Sequence, residues 1–418
     1  MTRMRYSGLQ LARQAMSGHA HWPQAWRSPE LASSYDAVVV GGGGHGLAAA
    51  YYLRRIHDVK RVAVIERGWL GGGNTGRNTT IVRSNYFFPE SARLYDYALR
   101  QYEQLGRELN YNIMLSQRGV LNLAHSEHDM ELMARGVNAM LLNGIDVELL
   151  DAKQVRDEVP LANFSDDARF PIHGGFVQRR GGVARHDAVA WGYARAASGL
   201  GVDIVQNCEV TGFDIAGGRV TGLQTTRGPV SAGVVGLSAS GHSGVLAARA
   251  GFRLPITSYA LQAMVSEPLK PVLDTVVTSG TTGMYVSQSD KGELVFGAGL
   301  DLYPSYAQRG NLPVAQDIVA GMLEVFPAFR RLKMLRQWAG VVDVCWDYSP
   351  IIGPSPVADL HLNCGWGTGG FKATPAGGVF LAHAMATGRH HEISAPFDIS
   401  RFATGALVDE AAGAGIAH

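Results

Sequence analysis

The residues that most constrain the fold are 35–53, which read YDAVVVGGGGHGLAAAYYL. The apolar, β-branched run AVVV predicts a strand buried on both faces, and the run LAAAYYL predicts the helix that follows it. The glycines between them permit a tight turn, close approach of the backbone to a pyrophosphate, and close packing of helix on strand. Those that fit the G-x-G-x-x-G spacing are Gly41, Gly43 and Gly46.

A second strand and an acidic residue complete this unit. Residues 61–65 (RVAVI) predict the strand, and Glu66 follows it, twenty positions after Gly46. A carboxylate there can accept hydrogen bonds from an adenosine ribose, and the start of the intervening helix offers N–H groups to phosphate oxygens. Together these elements predict a dinucleotide site, and the alternative for the glycines alone is an ordinary strand-to-helix turn.

Two further glycine-rich segments favour a flavin over a nicotinamide. Residues 68–86 (GWLGGGNTGRNTTIVRSNY) form a donor-rich loop that suits phosphates and the polar edge of a fused heterocycle, although a polar surface loop is the alternative. Residues 360–387 contain a second glycine-rich strand-to-helix junction, CGWGTGGFKATP. The dipole of its helix could stabilise negative charge on a reduced flavin. A nicotinamide enzyme needs neither segment.

Composition excludes several other classes of protein. The chain has 418 residues and a net charge of +1, so nothing in its charge indicates a nucleic-acid or membrane partner. Its only cysteines, Cys208, Cys345 and Cys364, are too few for a disulfide framework and indicate a reducing, cytoplasmic location. No metal site is predicted. Residues 1–29 carry arginines and no acid, which favours an arm that packs on another chain, with a transit peptide as the alternative.

Six segments together resemble one family over residues 35–418. They are GGGGHGLA, GWLGGGNTGRNTTIVRSNY, SQRGVLNLAH, GVARHDAVAW, VSQSDKGELVFGAG and NCGWGTGGFKATP. The chain resembles the β subunits of heterotetrameric sarcosine oxidase and, more widely, the class of FAD-dependent oxidoreductases that includes D-amino-acid oxidase and glycine oxidase.

The resemblance implies a mixed α/β fold, with a Rossmann-type FAD-binding domain and a substrate domain built on a large mixed or antiparallel sheet. The expected divisions are 1–34 for the N-terminal arm, 35–115 with 181–255 and 346–400 for the FAD-binding domain, 116–180 with 256–345 for the substrate domain, and 401–418 for a C-terminal tail. Within the second domain the sequence predicts strands at 261–266 and 294–298 flanking turn-rich sequence, and a solvated basic segment at 330–336.

The same resemblance implies non-covalent FAD and assigns residues to it. Those expected at the adenosine and pyrophosphate are Gly43, Gly44, His45 and Glu66, with Val210 at the adenine. Those expected along the flavin are Asn74, Arg77, Asn78, Thr79, Ile81, Gly367, Gly370 and Lys372.

A second flavin is also implied. In this family a histidine of the motif matching GVARHD carries covalent FMN at the junction with a large α subunit, and the matching residue is His186. A neutral imidazole nitrogen can add to the activated 8α-methyl group of a flavin. His173, thirteen positions earlier, is a weaker candidate, and Cys345 is an alternative attachment site as in monomeric relatives.

The implied reaction needs a cationic clamp for a substrate carboxylate, and Arg83 and Lys372 match it. Hydride transfer from the N-methyl group of sarcosine to FAD would give an imine, whose carbon leaves as formaldehyde or passes to tetrahydrofolate. FMN would pass the electrons to oxygen and give hydrogen peroxide. The partners implied are α, γ and δ subunits.

Three segments depart from the pattern expected of the family: residues 258–259 (SY), 281–285 (TTGMY) and 344–348 (VCWDY). We expect them to border the substrate cavity, so a different N-methyl amino acid could replace sarcosine. The alternatives are a stand-alone FAD oxidase or dehydrogenase acting on another N-methyl or secondary amino acid, and a redox-inactive assembly subunit.

Overall fold

The computed structural model describes residues 7–20 and 24–408. Its helices are α1 (Gly8–Met16), α2 (Gly44–Arg55), α3 (Pro89–Glu108), α4 (Glu127–Leu142), α5 (Ala152–Glu158), α6 (His186–Gly199), α7 (Ser243–Arg249), α8 (Leu312–Val325), α9 (Thr374–Thr387) and α10 (Arg401–Thr404). Within the described ranges no helix combines the length and apolar character that crossing a membrane requires.

Strands fall into two large sheets and one short pair. They are β1 (Ser34–Val40), β2 (Val62–Ile65), β3 (Ile81–Val82), β4 (Val120–Ala124), β5 (Glu148–Asp151), β6 (Gly174–Gln178), β7 (Gly182–Val183), β8 (Asp203–Val205), β9 (Val210–Ala216), β10 (Arg219–Thr225), β11 (Val230–Leu237), β12 (Ile256–Pro268), β13 (Val276–Ser279), β14 (Met284–Gln288), β15 (Glu293–Pro304), β16 (Met334–Cys345), β17 (Ile351–Pro354) and β18 (Leu360–Cys364). This mixed α/β architecture confirms the predicted fold class.

The first sheet has a dinucleotide-binding topology. Its strand order is β17-β18-β11-β1-β2-β8, with the β9–β10 hairpin attached at β11, and the pairs formed by β18, β11, β1, β2 and β8 are parallel. β2, the next strand along the chain, pairs with one edge of β1, and the later strand β11 pairs with its other edge. A crevice for a ligand therefore forms beyond the carboxyl ends of the strands, beside β1.

Two glycines explain why the chain can turn sharply after β1. Gly41 has φ +112°, and a Cβ there would lie 2.2 Å from the carbonyl oxygen of Ser238. A Cβ on Gly46 would lie 2.0 Å from the carbonyl oxygen of Gly41. Both positions therefore require glycine, because the first turn of α2 packs directly on the backbone of the strand.

The second sheet has the order β16-β12-β15-β14-β13-β4-β6-β5 and is mostly antiparallel. Alternate residues of its strands face opposite sides: Met264 and Val286 join the core beneath α8, whereas their neighbours Ala263 and Tyr285 line a cavity. This sheet thus forms both a hydrophobic core of its own and one wall of the site described below.

The second sheet has more strands, and longer ones, than the sequence predicted. The strands predicted at 261–266 and 294–298 are parts of the longer β12 and β15, and β13 and β14 occupy sequence predicted to be turn-rich. The basic segment 330–336 is largely exposed, but its end begins β16. Long strands with bulges, such as β12, break the strict alternation on which the prediction relied.

A buried ion pair fastens the C-terminal segment. The guanidinium of Arg401 donates to Asp347 through Nε and Nη2, at 2.8 and 3.0 Å, and Nη2 also donates to the carbonyl of Ser349. The backbone N–H of Val408 donates to the same carboxylate at 3.0 Å. The tail predicted from residue 401 therefore begins with a buried anchor, while residues 409–418 lie outside the described part of the chain.

We expect Arg401→Met to lower the free energy of unfolding by about 3–5 kcal/mol, since it leaves the Asp347 carboxylate buried without its partner. The matched control is Arg219→Met, which breaks the more exposed Arg219–Asp359 pair and should cost about 0–1 kcal/mol. Urea denaturation of the two variants measures the difference, and equal losses would contradict it.

Candidate cofactor site

A cavity of about 280 Å³ lies at the carboxyl edge of the first sheet, between the two sheets. Its wall includes the loops that follow β1, β2, β11 and β18, residues 73–79, and side chains of β12, β14 and β16. The two glycine junctions, remote in sequence, therefore meet at one site. They meet because β18 and β1 are separated only by β11 and all three strands are parallel.

At the first junction the backbone N–H of Gly44, where α2 begins, donates to Thr75 Oγ1 at 2.9 Å. The carboxylate of Glu66 accepts from the N–H of Gly42 at 2.7 Å and from the N–H of Gly68 at 2.8 Å. Glu66 therefore ties the glycine turn to the chain after β2. Each of its oxygens keeps a further lone pair for a ligand hydroxyl.

The donor-rich loop is held against the second sheet. Asn74 Nδ2 donates to Ser240 Oγ at 2.6 Å and to the carbonyl of Val341 at 2.5 Å. The Arg77 guanidinium donates to Gln308 Oε1 at 3.2 Å, and burial lowers the pKa of Arg77. These contacts hold the loop along one side of the cavity.

The second junction contacts the first through His45. Its Nε2 lies 2.7 Å from the carbonyl oxygen of Gly370, and its Nδ1 lies 3.3 Å from Asn363 Nδ2. The ring packs against Trp366 with centroids 4.7 Å apart, and Trp366 Nε1 donates to Asn363 Oδ1 at 2.6 Å. Desolvation at this contact lowers the pKa of His45 to about 4.

Asp343 supplies a second polar link across the cavity. Its carboxylate accepts from the N–H of Gly365 at 2.6 Å and lies 3.5 Å from Ser240 Oγ, while its carbonyl accepts from the N–H of Gly367. The side chain is buried, and this burial raises the pKa of Asp343 to about 6. The carboxyl group thus positions the start of the second junction.

Most of the residues assigned to FAD from the sequence line this cavity. They are Gly41, Gly43, Gly44, His45, Glu66, Asn74, Arg77, Asn78, Thr79, Val210, Gly367 and Gly370. Gly46, Ile81, His186, Arg83 and Lys372 are not among its lining residues. Gly46 lies behind the turn, where it packs on Gly41, and Ile81 belongs to β3.

The two expected clamp cations lie behind the wall, near the second junction. Lys372 is buried and its Nζ donates to the carbonyl of Thr368, a lining residue, at 3.1 Å. Arg83 is also buried; it donates to Asn85 Oδ1 at 2.7 Å and lies over the ring of Tyr86 at 4.8 Å. β3, which immediately precedes Arg83, contacts the 3-10 turn Phe371–Ala373 that carries Lys372.

The three candidates for covalent flavin attachment are not among the residues that line the cavity. His186 begins α6, is partly exposed, and its Nδ1 lies 3.7 Å from Asp187 Oδ1. His173 is exposed on the loop before β6. Cys345 is buried against Gly365 and is not among the lining residues, and burial raises the pKa of its thiol. A reactive cysteine would need the opposite shift.

The three segments expected to border a substrate cavity contact this cavity to different extents. Ser258 donates to the carbonyl of Gly241, a lining residue, whereas Thr281 lies at the β13–β14 turn and donates to Asp129. Trp346 is exposed at the surface. Tyr285, at the end of the second segment, lines the cavity, and Val344, at the start of the third, pairs with the lining residue Trp366. Each segment therefore touches the wall of this cavity at one end.

Several polar residues of the wall were missed by the sequence reasoning. They are Thr75, Ser240, Asp343, Asn363 and Trp366. Trp366 and Asn363 belong to or adjoin the glycine-rich junction, so the motif itself pointed to them. Asp343 lies on β16 and had no comparable signal, because only the pairing of β16 with β12 brings it to the cavity.

The family model described as FAD dependent oxidoreductase (DAO) matches residues 36–384. The chain belongs to this family. Solved structures agree on the fold: L-proline dehydrogenase from P. horikoshii has a TM-score of 0.84 at 24% identity and covers 90% of this chain and 100% of its own. Glycine oxidase from Geobacillus kaustophilus has a TM-score of 0.78 at 20% identity, covering 88% of this chain and 99% of its own.

Within this class the chain groups with the sarcosine oxidase beta subunits. It is 51% identical over 414 residues to "Sarcosine oxidase subunit beta" of Rhodobacter capsulatus, covering 99% of this chain and 100% of the relative. It is 53% identical over 393 residues to the protein of the same name from Arthrobacter sp, covering 94% and 97%. The resemblance drawn from the motifs is therefore confirmed.

We predict that the free energy of unfolding of Asp343→Asn increases, relative to that of the native chain, as pH rises. Between pH 3.8 and about 6 the folded chain keeps a proton that the unfolded chain has lost, so ionisation of Asp343 lowers stability as pH rises through this window. The native chain should therefore lose about 1 kcal/mol relative to Asp343→Asn between about pH 5 and about pH 7.5.

Urea denaturation at both pH values measures this change. Asp166→Asn, on an exposed loop, is the control and should follow the native pH dependence. A constant difference between Asp343→Asn and the native chain at the two pH values would show that Asp343 does not titrate in this range.

Proposed function

We propose that the chain is the β subunit of a heterotetrameric sarcosine oxidase that demethylates sarcosine, or a similar N-methyl amino acid, to glycine with formaldehyde and hydrogen peroxide. The observation that carries this proposal is identity of about 50% to sarcosine oxidase beta subunits along nearly the whole chain. The two glycine junctions that meet at one cavity support it independently.

The residues of the cavity fit non-covalent FAD. A Cβ on Gly367, which has φ +50°, would find no atom nearer than 4.0 Å, so the wall is open there. The start of α2 would hold the pyrophosphate, Glu66 the ribose, Val210 the adenine, and residues 74–79 with Gly367 and Gly370 the flavin. When bound, FAD supplies an acceptor for the hydride removed from the substrate.

We assign Arg83 and Lys372 to the substrate carboxylate. Both cations are buried, and β3, which directly precedes Arg83, contacts the turn that carries Lys372. A carboxylate drawn toward them would bring the N-methyl carbon of a small amino acid against the cavity. Arg83 already has Asn85 as a hydrogen-bond partner, so its guanidinium is held in place before substrate binds.

The second flavin and the partner chains belong to the same proposal. His186 is partly exposed at the start of α6, which suits covalent FMN at a junction with a large α subunit. FMN would return electrons to O₂, γ and δ subunits would complete the assembly in the cytoplasm, and tetrahydrofolate would take the one-carbon unit when present. We also propose that the two sheets mark the two domains, with the boundaries expected from the sequence.

The test is to express the chain alone and together with its candidate partner subunits, and to assay peroxide and formaldehyde with a panel of N-methyl amino acids. The expected result is sarcosine-dependent peroxide release by a complex that contains both FAD and FMN. Full activity of the isolated chain without FMN would favour the stand-alone oxidase, and no flavin reduction by any amine would favour an assembly subunit.

Replacing Lys372 by Met should leave FAD bound but slow anaerobic reduction of the flavin by sarcosine by about 100-fold or more, because the carboxylate loses a cation that orients the substrate. Stopped-flow absorbance measures the rate. Lys291→Met, at an exposed turn, is the control and should react like the native enzyme. A near-native rate for Lys372→Met would remove Lys372 from the clamp.

Replacing His186 by Ala should abolish covalently attached FMN, because the nucleophilic nitrogen is lost. The measurement is flavin retained in the protein pellet after acid precipitation of the co-expressed complex. His173→Ala is the matched control and should retain the native amount. Covalent flavin that persists in His186→Ala would place the attachment elsewhere, with Cys345 as the next residue to replace.

A further inference from the structure

His45 is the residue at which the two glycine junctions touch. It is the second residue of α2, and its ring contacts three parts of the other junction: Asn363 at the end of β18, the carbonyl of Gly370, and the first turns of α9. A Cβ on Gly377 would lie 2.3 Å from His45 Nδ1, so α9 can reach the ring only because Gly377 has no side chain.

The neighbouring groups determine the protonation of the ring. Trp366 Nε1 is a donor only, so the Asn363 atom that it contacts is the oxygen and the atom that faces His45 is the NH₂ group. Asn363 Nδ2 therefore donates to His45 Nδ1, and Nε2 carries the proton donated to the Gly370 carbonyl. The low pKa of His45, about 4, is consistent with a neutral ring.

We propose that His45 is a positioning residue whose neutral Nε2–H form fixes the second glycine junction relative to the first, so that both contact one FAD molecule. Gly370 directly precedes the turn Phe371–Ala373, so the hydrogen bond from His45 to its carbonyl fixes the position of the last residue before that turn. At the other end of the junction, Asp343 holds Gly365. The loop from Gly365 to Gly370 is therefore held at one end by Asp343 and at the other by His45 of the first junction.

The family resemblance placed His45 among the residues at the adenosine and pyrophosphate, and the present proposal concerns its side chain. Both ring nitrogens are already used by Gly370 and Asn363, which leaves neither for a phosphate oxygen. The inference concerns FAD binding and does not depend on which amine is oxidised.

Two substitutions separate hydrogen bonding from space filling. His45→Leu fills a similar volume but neither donates nor accepts. His45→Gln can donate from Nε2 to Gly370 and accept from Asn363 through Oε1. A purely structural role in packing predicts that leucine is tolerated at least as well as glutamine, whereas positioning by hydrogen bonds predicts the reverse order.

The experiment compares the holoenzymes by the rate of FAD release, followed as flavin fluorescence after dilution, and by visible circular dichroism of the bound flavin. His45→Leu loses both hydrogen bonds of the ring and should release FAD about tenfold faster or more, since about tenfold is the factor for a single hydrogen bond, and it should alter the flavin dichroism. His45→Gln should stay within about threefold of the native rate with a native-like spectrum.

A double-mutant cycle provides the second arm. Asn363→Leu removes the donor to the ring and also leaves Trp366 Nε1 and the Gly377 carbonyl without Asn363, so it should also speed release. Combining it with His45→Leu should cost less than the sum of the two, because the His45–Asn363 bond is lost in both single variants. Should His45→Leu fail to fold, His45→Met, which also cannot donate to Gly370, takes its place. Native release by either leucine variant, equal behaviour of His45→Gln and His45→Leu, or fully additive effects would overturn the proposal.

Discussion

The close approach of α2 and α9 is the constraint on which the rest of the structure depends. A Cβ on Gly378 would lie 2.3 Å from the Cβ of Ala48, so these helices pack backbone against backbone, and most residues of both are buried. Since each helix begins at a glycine junction, their contact fixes the distance between the two junctions. The crevice beside β1 therefore has two walls that are rigid relative to each other.

Polar bridges then hold the remaining wall against this pair of helices. Asn74 and Asp343 both reach Ser240, and Asp343 reaches Gly365, so the donor-rich loop, the second sheet and the second junction share one hydrogen-bonded connection. Buried polar groups of this kind cost free energy unless they are paired. Their pairing across elements explains how two sheets with separate cores form one cavity.

The sequence predicted the first sheet better than the second for a physical reason. The glycine turn, Glu66 and the parallel strands depend on local backbone geometry and on contacts within one βαβ unit, which leave a readable pattern. β13 and β16 depend on long-range pairing, β13 parallel with β4 and β16 antiparallel with β12. β13 and β14 flank the turn-rich residues 280–283, and β16 contains Arg336, Gly340 and Asp343, so their sequences do not give a clear strand pattern.

The sequence by itself determined the class of cofactor and the residues that need glycine, because the tight turn at Gly41 and the close packing at Gly46 admit no side chain. The tertiary structure alone decided what His45, Asn363 and Asp343 do, since these residues meet only after β18 and β16 take their places in two different sheets. It also brought β3, which directly precedes Arg83, into contact with the turn that carries Lys372, a proximity set by packing and not by spacing along the chain.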